Sequence, residues 1–241
     1  MSKKINVVVW NEYLHEVEME EVRAIYPNGI HGTIAAHLEK NADISTKTAT
    51  LVEPEHGLTE AVLAETDVLI WWGHGAHERV EDEIVQRVYD RVQDGMGLVV
   101  LHSGHASKIF SKLLGTRTDR LKWREDGDES TVWTVMHNHP IAKGLPDSFV
   151  IPQEETYGER FEIPRPDDVI FISGFGGGNE VFRSGVTFTR GLGRIFYFQP
   201  GHETFPVYHQ KEVLQVIENG VLWVAPQDMA KPIEGHCPKA E

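Results

Sequence analysis

The sequence predicts an α/β fold: a mostly parallel sheet with helices on both faces, closed by a C-terminal β-hairpin and helix. Three observations carry this reading. Residues 5–10 (INVVVW), 68–72 (VLIWW) and 98–101 (LVVL) are short, nearly unbroken apolar runs rich in β-branched residues, as strands covered on both faces must be. Helix-period segments separate them, the alternation that right-handed crossovers produce. Late in the chain, residues 186–190 and 194–198 flank Gly191-Leu192-Gly193 and read as a hairpin with a three-residue turn.

Taken in order, the first strand (5–10) is followed by a helix over 31–40, where Ile34, Ala35 and Leu38 share a face. Residues 44–51 alternate more loosely and form a second strand. Thr59 caps a short helix running to Ala64, with Glu60 in its first turn. After strand 68–72, Ile84, Val88 and Val92 define a helix over 81–92 that Asp94-Gly95 stops. Strand 98–101 leads into a helix over 107–114, ended by Gly115. Residues 130–135, 148–151 and 169–173 read as further strands. In the helix over 207–224, Leu214, Ile217, Val221 and Val224 step by three, four and three. A tail containing Pro226, Pro232 and Pro238 follows, expected to run from ordered to frayed. Pro164-Arg165-Pro166 is explained by a loop between strands, so residues 1–241 are read as a single domain.

Composition narrows the function. With 23 basic and 37 acidic side chains in 241 residues, the formal net charge is −14. Such a surface repels phosphate backbones and anionic lipid, which disfavours nucleic acid and membrane as partners. The single cysteine, Cys237, forms no internal disulfide, which fits a reducing compartment. The first apolar run is too short for a signal peptide or a membrane span. The expected location is the cytoplasm. Exposed apolar positions on the terminal helix would suit a homo-oligomer.

The chain has 13 histidines, and their placement is the informative feature. Ligands of open parallel sheets bind beyond the carboxyl ends of the strands. After the first strand come Asn11, Glu12, Tyr13 and His15; after the third, Gly73-His74-Gly75-Ala76-His77; after the fourth, His102-Ser103-Gly104-His105; after the hairpin, Gly201-His202-Glu203. Parallel packing would bring these imidazoles to one rim. His74-x-x-His77 and His102-x-x-His105 each set two imidazoles on one side of a helical turn, a spacing that suits a divalent metal. His137-x-His139 would set two on one face of an extended segment. Zinc or manganese at His74, His77 and His105, with Glu203 or Glu12 as oxygen donor, is one reading. Direct binding of substrate hydroxyls by the same histidines is the other, and both stay open.

His102 and His202 are candidates for general acid and base, since an imidazole of ordinary pKa titrates near neutrality. Residues 98–105 have the layout of a nucleophile elbow, although Leu101 stands where G-x-S-x-G needs glycine. Ser103 is a candidate nucleophile with His202 and Glu203 behind it, or simply the N-cap of the following helix. Asn11, Glu12, Trp72 and Tyr157 are candidate substrate contacts. Trp10, Trp71 and Trp72 sit at strand ends, where an indole stacks on a sugar face or joins the core. Glu154-Glu155-x-Tyr157 adds carboxylates to the rim or forms a solvated loop. Residues 174–178 (GFGGG) lack the G-x-G-x-x-G spacing, and no Walker motif occurs. No nucleotide cofactor is expected.

Three stretches in order, 97–103 (GLVVLHS), 139–145 (HPIAKGL) and 193–203 (GRIFYFQPGHE), resemble the trehalose-utilisation (ThuA-like) family, which shares the class I glutamine amidotransferase fold. The resemblance spans roughly residues 5–225. It implies a flavodoxin-like three-layer sandwich and a role in carbohydrate utilisation, on disaccharides or their oxidised derivatives, without fixing the reaction; the histidine acid–base reading points to a hydrolase- or isomerase-type enzyme. A non-catalytic sugar-binding or regulatory protein is the alternative. The amidotransferases use a cysteine at the strand-to-helix elbow. Here His102 and Ser103 occupy it, so cysteine-dependent glutaminase activity is not expected.

Overall fold

A computed structural model describes residues 4–226; Cys237 and the tail read from Pro232 and Pro238 lie outside the described residues. The backbone alternates β1 (Ile5–Asn11), α1 (His15–Glu18), α2 (Glu20–Ile25), α3 (Gly29–Leu38), β2 (Ile44–Thr50), α4 (Glu60–Glu65), β3 (Val68–Trp72), α5 (Asp82–Gln93), β4 (Gly97–Leu101) and α6 (Lys108–Leu114). Then come β5 (Lys122–Thr134), β6 (Ser148–Gly158), β7 (Asp168–Phe175), β8 (Val181–Arg190), β9 (Gly193–Phe198) and α7 (Lys211–Val224). No helix among the described residues is long and apolar enough to cross a membrane.

The nine strands of the described residues join one sheet in the order β2-β1-β3-β4-β9-β8-β7-β5-β6. From β2 through β9 the neighbours are parallel. From β9 through β6 they are antiparallel. The sheet is therefore mixed, half parallel and half antiparallel by pairing, rather than mostly parallel. The reason lies in the connections: β5 to β9 are joined without crossover helices, and only a crossover returns the chain to a parallel start.

Strand alternation separates two cores. Val7, Val9, Ile70, Trp72, Val99 and Leu101 face α2, α3 and α7. Val8, Trp10, Leu69, Trp71, Leu98 and Val100 face α5 and α6. Adjacent Trp71 and Trp72 thus point to opposite faces, as period-two geometry requires. Both are buried, and Trp71 stacks on Trp10 with ring centroids 4.0 Å apart.

Local signals set the ends. Thr59 accepts from the Val62 amide and Ser107 from the Phe110 amide, capping α4 and α6. Gly115 closes α6 in the left-handed conformation. The hairpin turn is tighter than expected, two residues, because Arg190 already pairs with Gly193. The terminal helix begins at Lys211, and residues 207–209 form a separate 3-10 turn. α1 and α2 are acidic short segments with no long periodicity to announce them. The chain order reverses between β1 and β3, so a crevice opens beyond their carboxyl ends.

Candidate active site

The loops leaving β1, β3, β4 and β9 meet at that crevice, and each brings a histidine. His15 opens α1, His74 follows β3, His102 follows β4, and His202 follows β9. Ring centroids of His74, His102 and His202 lie 5.7, 5.2 and 5.3 Å apart pairwise, and His15 lies 5.1 Å from His74. β6 contributes a carboxylate from the opposite side: Glu155 Oε2 is 3.1 Å from His102 Nε2. One ligand atom each from His74, His102, Glu155 and His202 all fall within 4.8 Å of one another. A second group, His15, His74 and Glu203, meets the same distance.

Each central imidazole is held from outside through Nδ1. His102 Nδ1 is 3.1 Å from the Gln199 carbonyl, which fixes it as donor. His202 Nδ1 pairs with the Thr204 hydroxyl at 2.8 Å. His74 Nδ1 faces Glu203 Oε1 at 3.3 Å. With Nδ1 of His102 protonated, its Nε2 carries only a lone pair, yet it faces a carboxylate oxygen. Both atoms, and His202 Nε2, are buried without a hydrogen-bond partner. Opposed acceptors at this distance need a proton or a cation between them.

Two further buried glutamates shape the loops. Glu12 accepts from the amides of His74, Gly75 and Ala76 at 2.9, 3.2 and 2.9 Å. Glu154 accepts from the amides of Gly201 and His202 at 2.8 and 3.2 Å. Glu12 is thus the brace of the His74 loop. Asn11 binds Glu16 and His31, and belongs to the packing of α1 and α3. At Gly201, φ is +144° and an added Cβ would sit 1.9 Å from the Tyr208 hydroxyl, so glycine is required there. His102 itself adopts φ of 51°, a left-handed elbow residue with a side chain.

Burial governs the charges. It lowers the pKa of His74 and His102 to about 3 and that of His202 to about 2, with repulsion among the imidazoles adding to the effect. It raises Glu155 to about 8 and Glu203 to about 7. Burial thus moves His102 and His202 down from the ordinary imidazole pKa on which an acid–base role is expected. Their neutral form is instead the ligating one.

The other sequence candidates take different places. His105 is buried with Nδ1 on the Thr118 carbonyl at 3.1 Å and lines the adjoining cavity, as does His77. Neither belongs to the four-group cluster. Ser103 does not cap α6, since Ser107 does; its hydroxyl pairs with Tyr157 at 2.8 Å, and no imidazole is hydrogen-bonded to it. Tyr157 stacks near His102, 5.6 Å between centroids. Trp72 donates to the Gly201 carbonyl at 3.1 Å and is fully buried beneath His74 and His102. His139 accepts from Ile141 and packs on Trp223 of α7, whereas His137 is exposed beside Asp147, so the His137-x-His139 pair does not act together. A cavity of about 250 Å³ beside the cluster is bounded by His74, Ser103, Asp119, Trp123, Glu125 and Tyr157, among others. Sequence reasoning passed over Trp123 and Glu125, which lie in a charged stretch of β5.

A family model described as trehalose utilisation, ThuA, matches residues 6–224. The chain belongs to the ThuA family. Membership supports a role in carbohydrate utilisation. Solved structures agree on the fold of this ThuA protein. A ThuA-like protein from Bacteroides uniformis superposes with a TM-score of 0.66 at 16% identity, covering 92% of each chain. One from Parabacteroides merdae gives 0.64 at 16%, covering 95% of this chain and 94% of that one. A cytoplasmic protein from Salmonella typhimurium gives 0.63 at 12%, covering 92% and 100%. No curated protein sequence matches the chain.

Proposed function

We propose that this ThuA protein is a cytoplasmic, carbohydrate-active enzyme whose His74, His102, His202 and Glu155 hold a divalent cation, zinc or manganese. The observation that carries the reading is the pair of unpartnered buried atoms, His102 Nε2 and Glu155 Oε2, 3.1 Å apart. Imidazole and carboxylate are the donors such ions take, and the Gln199 carbonyl on His102 Nδ1 is the outer partner that orients a ligating histidine. A bound cation would supply Lewis acidity toward a sugar carbonyl or a water. The chain's own groups do the rest. Ser103 and Tyr157 present hydroxyls to the substrate cavity, Glu203 orients His74, and the Glu12 and Glu154 braces fix the two loops. The elbow holds His102 and Ser103, and the one cysteine is Cys237, so glutamine hydrolysis through a thiolate is not part of the reading.

Elemental analysis of the purified protein tests it. We expect about one equivalent of zinc or manganese, lost in His102→Ala together with turnover. A protein free of metal that binds none on titration would end the metal reading and leave direct hydrogen bonding to sugar hydroxyls. Retained binding of sugars without turnover of any would favour the non-catalytic alternative.

A further inference from the structure

The cavity beside the cluster has a mouth, and one residue there has no structural occupation. Trp123 is 64% exposed. In the β5–β6 ladder it pairs directly with Tyr157, so the two side chains rise from the same face of the sheet. Tyr157 is buried against His102, whereas the indole stands outside it. Glu125, two residues on, lines the same cavity and reaches inward, its Oε1 3.9 Å from His202 Nε2. Trp123, Glu125 and the cluster therefore form a line from solvent to the buried imidazoles. Asp119 lines the same cavity, held by Arg117 at 2.6 Å.

At about 250 Å³ the cavity is smaller than the roughly 300–1,000 Å³ of drug-sized sites. It suits one pyranose ring and leaves a second ring of a disaccharide outside. A sugar ring has an apolar face of C–H groups and an edge of hydroxyls. An exposed indole flanked by carboxylates matches both. Resting on the carbohydrate reading above, we infer that Trp123 is the platform of an outer sugar subsite, on which the second ring of a disaccharide lies while Glu125 and Asp119 accept from its hydroxyls. The indole would thereby set a preference for disaccharides over monosaccharides.

Calorimetric titration of the full-length protein, as purified, with α,α-trehalose and with glucose tests this. Wild type should bind trehalose more tightly than glucose. Trp123→Ala should weaken trehalose about tenfold, to near the glucose level, and weaken glucose less than about twofold, because Trp123 meets the inner ring only at the cavity's rim. Trp123→Phe, which keeps a ring, should recover most of the loss. Trp133→Ala removes another exposed indole, 51% exposed but outside the cavity, and should change neither sugar. Undiminished trehalose binding by Trp123→Ala, or an equal loss in Trp133→Ala, overturns the subsite while leaving the carbohydrate reading in place. Failure of wild type to bind either sugar overturns that reading, and the subsite with it.

Discussion

The parallel and antiparallel halves of the sheet build the site in different ways. The parallel half delivers its groups at strand ends: His15, His74 and His102 follow β1, β3 and β4, and His202 with Glu203 follows β9 where it pairs with β4. The antiparallel half delivers its groups from within strands: Glu154, Glu155 and Tyr157 from β6, Trp123 and Glu125 from β5. A strand end in a parallel sheet is a fixed rim, so residue type alone makes it readable. A long antiparallel strand offers a face, and which part of that face meets the rim depends on register and bulges. The β5–β6 ladder shifts register twice, between Arg124 and Asp128 and between Asp128 and Ser130.

The sharpest way to break this comparison is to remove one ligand from each half. His102→Ala and Glu155→Ala should each lower metal affinity by more than about 100-fold, beyond what loss of an outer partner costs. Titration with a competing chelator reads both. Equal losses would make the two halves joint owners of the centre. A Glu155→Ala protein with wild-type affinity would reduce the centre to the parallel half.

The braces come next. Glu154→Ala strands three buried amides, those of Glu155, Gly201 and His202, and should cost about 3 kcal/mol in urea unfolding. Glu12→Ala also strands three amides, but only that of Ala76 is fully buried, those of His74 and Gly75 reaching solvent in part, and it should cost about 2 kcal/mol. The ranking sharpens the comparison, because Glu12 belongs to β1's end and Glu154 to β6. A reversed order would mean that the parallel rim contributes more to loop position than the burial of its amides suggests.

Ser107→Ala should remove the α6 cap and cost about 1 kcal/mol. Ser103→Ala, by contrast, loses one hydroxyl pairing with Tyr157 and caps nothing. Thermal melts of the two variants separate a capping serine from a cavity serine on one turn of chain.

How much of this was legible follows the same division. The apolar runs of β1, β3 and β4, the cap at Thr59 and the histidines at strand ends all announce themselves, because burial and capping constrain residue type position by position; the cap of α6 is expected at Ser103, whereas Ser107 holds it. β5 reads only from residue 130 onward. Its first half, KWREDGDE, is charged because much of it meets solvent, and nothing local separates such a strand from a loop. β6 extends through Glu154 and Glu155, polar residues buried by the site itself, to Tyr157, which packs into the core on Phe182. His77 and His105 line the cavity with His74 but stand outside its tight group, for a related reason. The i, i+3 spacing shares a side only on a regular helix, whereas these residues leave β3 and β4 by loops and 3-10 turns. Ring contacts across the sheet, not spacing along the chain, set which imidazoles meet.

The smallest expected effect concerns a clip confined to the antiparallel half. Glu159 accepts from Arg183 Nε at 2.8 Å, from Arg183 Nη2 at 3.0 Å, and from the amides of Phe161 and Arg183 at 2.8 and 3.1 Å. The Arg183 side chain and these amides hold its carboxyl below the usual value of 4.5, against a desolvation that pushes the other way. A carboxyl depressed on folding stabilises the protein above its unfolded pKa, and that contribution falls away as pH drops through the folded value. The clip should therefore be fully present at neutral pH and fade below about pH 4.5. Glu159 is a third exposed, so solvent screening limits the effect to about 0.5–1 kcal/mol. Wild type and Glu159→Gln should differ by that amount in unfolding at pH 7 and converge toward pH 3. A difference that stays constant across this range would assign the clip's contribution to hydrogen-bond shape rather than charge, leaving the antiparallel half held by the same neutral ladder contacts along its whole length.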